Sequence, residues 1–141
     1  MVVLDTDHVS VMERPESTAA RMLLARLAQI DPNEIATTIV TYEEQTRGWL
    51  AYKARARNVL QEIDAYSKLK RHLETYRTTN VLDFDNEAAA ELQRLRRLKL
   101  RIGTMDLKIA AITKVHKATL LTRNLVDFRK VPGLKVEDWT R

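Results

Sequence analysis

Acidic side chains gather in four short, widely separated pieces of this 141-residue chain: VVLDTD (Val2 to Asp7), TYEE (Thr41 to Glu44), GTMD (Gly103 to Asp106) and TRNLVD (Thr122 to Asp127). Each piece directly follows or opens an expected structural element. Carboxylates brought together from such distances repel one another, so something must offset them. A hard divalent cation such as Mg²⁺ or Mn²⁺ does so through oxygen ligands. Taken singly, each acid also has a structural use. Asp5 or Asp7 can cap the first helix, and Thr41 to Glu44 spells a capping box in which Glu44 reaches back to the Thr41 backbone. Asp106 suits the positive end of a helix, and Asp127 can start a short turn before Phe128. Single uses of this kind do not explain why all four pieces fall at one edge of the expected fold.

Other chemistries lack their parts. The chain has 3 glycines and no cysteine, so it offers neither a phosphate-cradling glycine loop nor a thiolate site or disulfide. No GxSxG occurs, and His8, His72 and His116 fit no HExxH zinc pattern. If they act at all without a metal, it is as general acid and base.

The elements that must position the acids alternate in type. VVL (Val2 to Leu4) reads as a buried strand, followed by a helical stretch from Ser17 to Ile30 with Met22, Leu23, Leu24, Leu27 and Ile30 on its apolar side. IATTIV (Ile35 to Val40) is a second strand, and Thr41 opens a helix toward Ala54. A longer helix covers about Asn58 to Tyr76, with Leu60, Ile63, Leu69 and Leu73 as its apolar stripe. VLDF (Val81 to Phe84) is a third strand, followed by a helix from Asn86 to about Leu100. Thr104 is expected to cap a helix to about His116, ATLLT (Ala118 to Thr122) is a fourth strand, and KVED near Lys135 adds an edge strand. Strands alternating with helices imply right-handed crossovers and an α/β fold with a mostly parallel central sheet covered on both faces. Ligands of such sheets bind beyond the carboxyl ends of the strands. Asp5, Glu44 and Asn124 fall there, and Asp106 reaches the same crevice from the first turn of its helix.

The length suits one domain, residues 1–141, and no window approaches the roughly 20 apolar residues of a membrane span. With no signal peptide visible, a cytoplasmic location is expected. The net charge of +5 is unevenly laid out, at −5 over residues 1–44, +6 over 45–101 and +4 over 102–141. A basic body beside an acidic cluster is what a metal-dependent nuclease requires, since Lys and Arg hold phosphates while carboxylates hold the metal. The densest run, Arg94, Arg96, Arg97, Lys99 and Arg101, faces either RNA or water.

Together, VVLDTDHVS, TIVTYEEQTRG, IGTMDLKIAAI, ATLLTRNLVDF and VPGLKVEDW resemble, in order and over nearly the whole chain, the PIN-domain ribonucleases, specifically the VapC toxins of bacterial toxin–antitoxin pairs. The resemblance implies a PIN-like three-layer α/β/α fold. It places the family's first Asp on Asp5, its Glu, four residues before Gly48, on Glu44, and its third acid on Asp106. The fourth position is Asn124, where many relatives carry Asp, with Asp127 three residues away as a substitute ligand. Asp7 and Thr122 support these residues from behind. The implied activity is an Mg²⁺- or Mn²⁺-dependent endoribonuclease that cuts RNA, in tRNA or rRNA loops, by a metal-activated water. A catalytically weak or inactive PIN-like RNA- or protein-binding module is the alternative. The implied partners are a VapB-type antitoxin, a second copy in a homodimer, and promoter DNA only through the antitoxin, with no membrane. Trp49, Tyr52 and Tyr42 are candidates to stack on bases or, for Trp49, to pack in the core or a dimer. Candidate antitoxin surfaces are Met22 to Ile30 and the helix around Trp49 to Leu60.

Overall fold

A computed structural model describes residues 1–141. Its elements are β1 (Val2–Leu4), α1 (Thr6–Val11), α2 (Thr18–Leu27), β2 (Ile35–Thr38), α3 (Ile39–Ala54), α4 (Val59–Arg77), β3 (Val81–Leu82), α5 (Asn86–Arg96), α6 (Thr104–Val115), β4 (Thr119–Leu121), α7 (Leu125–Phe128) and β5 (Lys135–Glu137). The five strands lie in the order β3-β2-β1-β4-β5, and every pairing is parallel. The chain builds outward from β1 through β2 to β3, then crosses to β4 on the other side of β1. The direction of winding therefore reverses between β1 and β4, and a crevice opens at their carboxyl ends.

The two-residue alternation of the strands separates two cores. Val3, Ala36 and Leu120 face one side, packed with Leu92 and Leu95 of α5 and with Ile109 and Ile112 of α6. Val2, Leu4 and Leu121 face the other, packed with Leu23 and Leu27 of α2 and with Trp139. Helices cover both faces, as the expected three-layer α/β/α arrangement requires. No helix is long and apolar enough to cross a membrane.

Several boundaries differ from the sequence reading. Helix α3 starts at Ile39, because the Thr38 hydroxyl accepts from the Thr41 backbone N–H at 3.1 Å and is the true cap. β-branched Ile39 and Val40 mimic strand continuation but occupy the first helical turn. Thr41 is consequently a buried third helical residue, no capping box forms, and Glu44 is released from that structural use. Thr104 is the first residue of α6 and not its cap, which is Gly103 without a side-chain bond. Helix α5 ends at Arg96, and Lys99 and Arg101 then adopt left-handed backbone angles, φ 52° and 57°. Most of the expected stripe of α4 is exposed: Leu60 is 74%, Ile63 62% and Leu73 56% exposed and Leu69 is half-buried, whereas Ala65 and His72 face inward. Only α3 packs substantially on α4, so its outer face has no partner in this chain. Helix α1 had no periodic signal, being 6 residues long.

Candidate active site

The end of β1 delivers Asp5 to the crevice. Asp5 follows Leu4 and so shares the side of Val3, toward α6. It is the cap of α1, accepting from the Thr6 backbone N–H through Oδ1 at 2.8 Å. The cap uses one oxygen and leaves Oδ2 to accept from the Thr122 hydroxyl, also at 2.8 Å. Thr122 follows β4 and is fully buried. Its Oγ1 also accepts from the Asn124 backbone N–H at 3.0 Å and lies 3.3 Å from Asp7 Oδ2. A hydroxyl has one proton, and the shorter contact assigns it to Asp5. One threonine thus ties the ends of β1 and β4 together.

Glu44 sits in the second turn of α3, where its Oε1 accepts from the Thr6 hydroxyl at 3.2 Å. Thr6 Oγ1 is also 3.3 Å from Thr41 Oγ1, so Thr6, which lies between the two acids of DTD, links α1 to α3. Thr6 was not singled out from the sequence, because a lone threonine between acids carries no distinctive spacing. Glu43 points elsewhere and pairs with Arg47 at 2.6 Å in an exposed i,i+4 contact. Asp106 lies in the first turn of α6, as expected.

The electrostatics bind these groups into one cluster. Burial, then the charge of Asp7, raises the Asp5 carboxyl from 3.8 to about 7, with Asp106 adding to the rise and the Thr122 and Thr6 hydrogen bonds opposing it. Burial also raises Glu44, against the Thr6 hydrogen bond, with the charges of Asp106 and Glu43 adding to the rise and that of Arg47 opposing it. Asp106 is raised by burial and then by Asp127 and Asp7. Asp106 therefore lies within the field of Asp5, Asp7, Glu44 and Asp127 alike. None of Asp5, Glu44 and Asp106 forms an ion pair with a Lys or Arg. The carboxylates are not drawn into a closed cage: no three His, Cys, Asp or Glu side chains stand together closely enough to hold an ion. The donor set, carboxylates with a neighbouring amide and hydroxyls, fits a hard cation such as Mg²⁺ or Mn²⁺ and no soft one.

Asn124 caps α7, and its side chain is turned to Asp127: Nδ2 donates to Asp127 Oδ2 at 3.1 Å, and Oδ1 accepts from the Asp127 backbone N–H at 3.4 Å. Asp127 in turn pairs with Lys130 at 3.1 Å. The Asn124 amide, followed by Lys130, lowers the Asp127 carboxyl, opposite to the other acids. The fourth position is thus a capped, charge-compensated pair next to the uncompensated trio. Asp7 stands behind the site, its Oδ2 accepting from the Arg123 backbone N–H at 3.0 Å.

Among the histidines, His8 is wholly buried and His72 is buried against Tyr42, with ring centroids 5.2 Å apart. His8 is closed off from solvent, whereas the edge of His72, its Nε2 2.8 Å from the Thr46 hydroxyl, lines the cleft beside Trp49. His116 ends α6 at the pole opposite Asp106. Of the stacking candidates, Tyr42 is half-buried and packs its ring against His72 and Tyr76. Trp49 and Tyr52 meet edge to face, with Lys68 over both rings, and Trp49 lines a cleft of about 530 Å³ with Arg14, Lys68 and Arg71.

A PIN domain family model matches residues 2–134. The chain is 35% identical over 63 residues to the tRNA(fMet)-specific endonuclease VapC of Salmonella typhimurium, an alignment covering 42% of this chain and 48% of that one. It therefore spans about half the length of this curated relative. Its fold is similar to VapBC-1 from nontypeable Haemophilus influenzae, with a TM-score of 0.71, 24% identity and full coverage of both chains. It is similar as well to VapBC2 from Rickettsia felis, a complex bound to a DNA fragment from its promoter, at a TM-score of 0.74, 24% identity and 99% coverage of each chain.

Proposed function

The chain belongs to the PIN-domain family, and from that premise we propose that it is a VapC-type endoribonuclease toxin that hydrolyses RNA phosphodiester bonds with Mg²⁺ or Mn²⁺. The observation that carries the reading is the trio Asp5, Glu44 and Asp106, all raised by burial and by like charge, with no basic side chain paired to any of them. Natural folds rarely keep several unpaired carboxylates together unless a cation completes them.

Asp5, Glu44 and Asp106 would hold the cation, with Asn124 or Asp127 at the fourth position. A divalent ion bound there makes water nucleophilic at neutral pH and offsets charge on the phosphate. The chain's own part is geometric and electrostatic. Thr122 and Thr6 fix the carboxylate rotamers of Asp5 and Glu44, and Asp7 holds the backbone after β4. The basic body supplies phosphate contacts, with Arg14, Lys68 and Arg71 beside Trp49 as a route for RNA. Folded RNA with exposed loops, such as tRNA or rRNA stem-loops, is the proposed substrate. The similarity to VapC and to VapBC complexes supports a VapB-type antitoxin as partner, and the exposed Val59, Leu60, Ile63 and Tyr66 of α4 with Leu50 of α3 offer apolar surface for it or for a second copy. A cytoplasmic site of action follows from that role.

Purified protein should cut a tRNA pool with Mn²⁺ and stop in EDTA, and Asp5→Ala or Asp106→Ala should abolish cutting while circular dichroism stays unchanged. Undiminished cleavage in EDTA, or in both variants, refutes the proposal. The compensated Asn124–Asp127 pair favours one other reading, a weakly active or inactive binding module. Metal-independent RNA retention without cleavage would select it.

A further inference from the structure

His8 is a fully buried polar ring that the reaction does not touch, yet both its nitrogens are engaged. Nδ1 lies 2.8 Å from Asp7 Oδ1. Nε2 accepts from the backbone N–H of Trp139 at 3.1 Å. An N–H donor facing Nε2 leaves that nitrogen unprotonated and puts the ring proton on Nδ1, pointing at Asp7. The opposite tautomer would set N–H against N–H at Trp139 and lone pair against carboxylate at Asp7. Asp138 Oδ1 is 3.7 Å from Nε2, too far for a hydrogen bond, and that oxygen accepts instead from the Thr140 backbone N–H and hydroxyl.

We infer that His8 is a positioning residue: locked in the Nδ1–H form by the Trp139 backbone, it holds Asp7 against the Thr122–Arg123 segment and so fixes the end of β4 that grips Asp5 and carries Asn124. Asp7 needs such a hold. Its side chain is 31% exposed and would otherwise turn to water, releasing the Arg123 N–H that its Oδ2 accepts. The C-terminal segment completes the frame. Glu137 O accepts from the Thr122 N–H at 2.9 Å, and Arg26 stacks on the Trp139 ring at 4.3 Å. Residues 137–139 thus grip the crevice twice, through the Thr122 backbone and through His8. The inference extends the proposed nuclease by assigning the support of its metal-facing loop.

Two near-isosteric variants separate the two ring contacts. His8→Asn keeps a donor where Nδ1 stands and loses the acceptor for Trp139. His8→Gln keeps an acceptor near Nε2 and loses the donor to Asp7. In ¹⁵N-labelled parent protein, His8 should show a protonated Nδ1 and a bare Nε2. Hydrogen exchange at the Arg123 amide should stay within about threefold of the parent in His8→Asn and rise at least about tenfold in His8→Gln. The Mn²⁺ concentration for half-maximal cleavage should rise about 10- to 100-fold in His8→Gln, with KM for RNA within about twofold of the parent. An Nε2–H ring, equal loss in both variants, or loss in His8→Asn alone overturns the inference, since each would leave His8 a packing or anchoring group. If the parent does not cleave RNA, the nuclease reading fails, while the tautomer and the Arg123 exchange still decide the role of His8.

Discussion

Asp5→Asn in metal-free protein tests the charge cluster most directly. The side chain keeps its shape: Oδ1 can still accept from the Thr6 N–H, and the new amide N faces the Thr122 hydroxyl, which has a lone pair to spare. What disappears is a buried charge. The folded carboxyl holds its proton to about pH 7, whereas its ordinary value is 3.8. Below 3.8 both folded and unfolded chains are protonated and Asp5 costs nothing. As pH rises the unfolded chain releases the proton first, so the cost to the folded state grows through that window and is complete above about 7. At 1.36 kcal/mol per tenfold change in affinity, the full cost is about 4 kcal/mol, and relaxation with water entry should leave about half of it observable. Asp5→Asn should therefore stabilise the EDTA-treated protein by about 2 kcal/mol at pH 8, or roughly 6 °C in Tm for a chain of this size. At pH 5 the gain should shrink to less than half. Saturating Mn²⁺ should reverse the order, because an ion at 100 times its Kd stabilises the parent by about 2.7 kcal/mol and the variant far less. Thermal melts at pH 5 and 8, with EDTA or Mn²⁺, give all four values. If the variant melts no higher than the parent at pH 8 without metal, or if its gain is the same at pH 5, the buried-charge argument fails.

Thr122→Val removes the hydroxyl that links Asp5 to Asn124 and should raise the Mn²⁺ requirement for RNA cleavage about 10- to 100-fold, read from metal titrations of initial rate. Asn124→Asp restores a carboxylate at the fourth position but faces Asp127 with like charge in place of the amide, so metal-free Tm should fall by a few degrees and Mn²⁺ affinity should tighten, as calorimetry would show. Glu43→Gln should leave cleavage within about twofold of the parent, since its ion pair with Arg47 is exposed and worth under about 1 kcal/mol, whereas Glu44→Gln should cut the rate at least tenfold. Ile109→Ala, on the wholly buried face of α6 that orients Asp106, should cost about 2–5 kcal/mol in urea unfolding.

The sheet and most helices were legible because their signals are local. VVL and TLL are short apolar runs between breakers, and α6 buries the Leu107, Ile109 and Ile112 face that its period predicts. Asp5, Glu44, Asp106 and Asn124 were legible as strand-end and helix-start positions, and the structure places Asp106 in the fields of both Asp5 and Glu44. Three features were not legible. Thr38 was hidden because Ile39 and Val40 read as strand, so Glu44 was assigned a capping use that it does not have. The exposed face of α4 reads by period like a buried one, since periodicity reports that a face is apolar and not what covers it. The roles of Thr6 and His8 depend on partners 38 and 131 residues away in sequence, Glu44 and Trp139, a relation that no local spacing encodes.

The carboxylates of this crevice also differ in how far their charge is compensated, and the difference follows the topology. Asp127 and Glu43 lie on short or exposed helical turns where Lys130 and Arg47 stand one turn away, so each acid finds a base by local helix geometry. Asp5 ends a buried central strand, Glu44 faces the α1–α3 seam, and Asp106 opens a helix packed on the core. Asp5 and Asp106 have no Lys or Arg one turn on, and the one that follows Glu44, Arg47, is paired with Glu43 and offsets Glu44 only in part. The polar groups that reach these acids are the neutral hydroxyls of Thr6 and Thr122, which donate to Glu44 and Asp5 without adding positive charge. The three acids thus lie without an ion pair where the winding reverses, and the proposed cation, entering from the open end of the crevice, would supply the counter-charge.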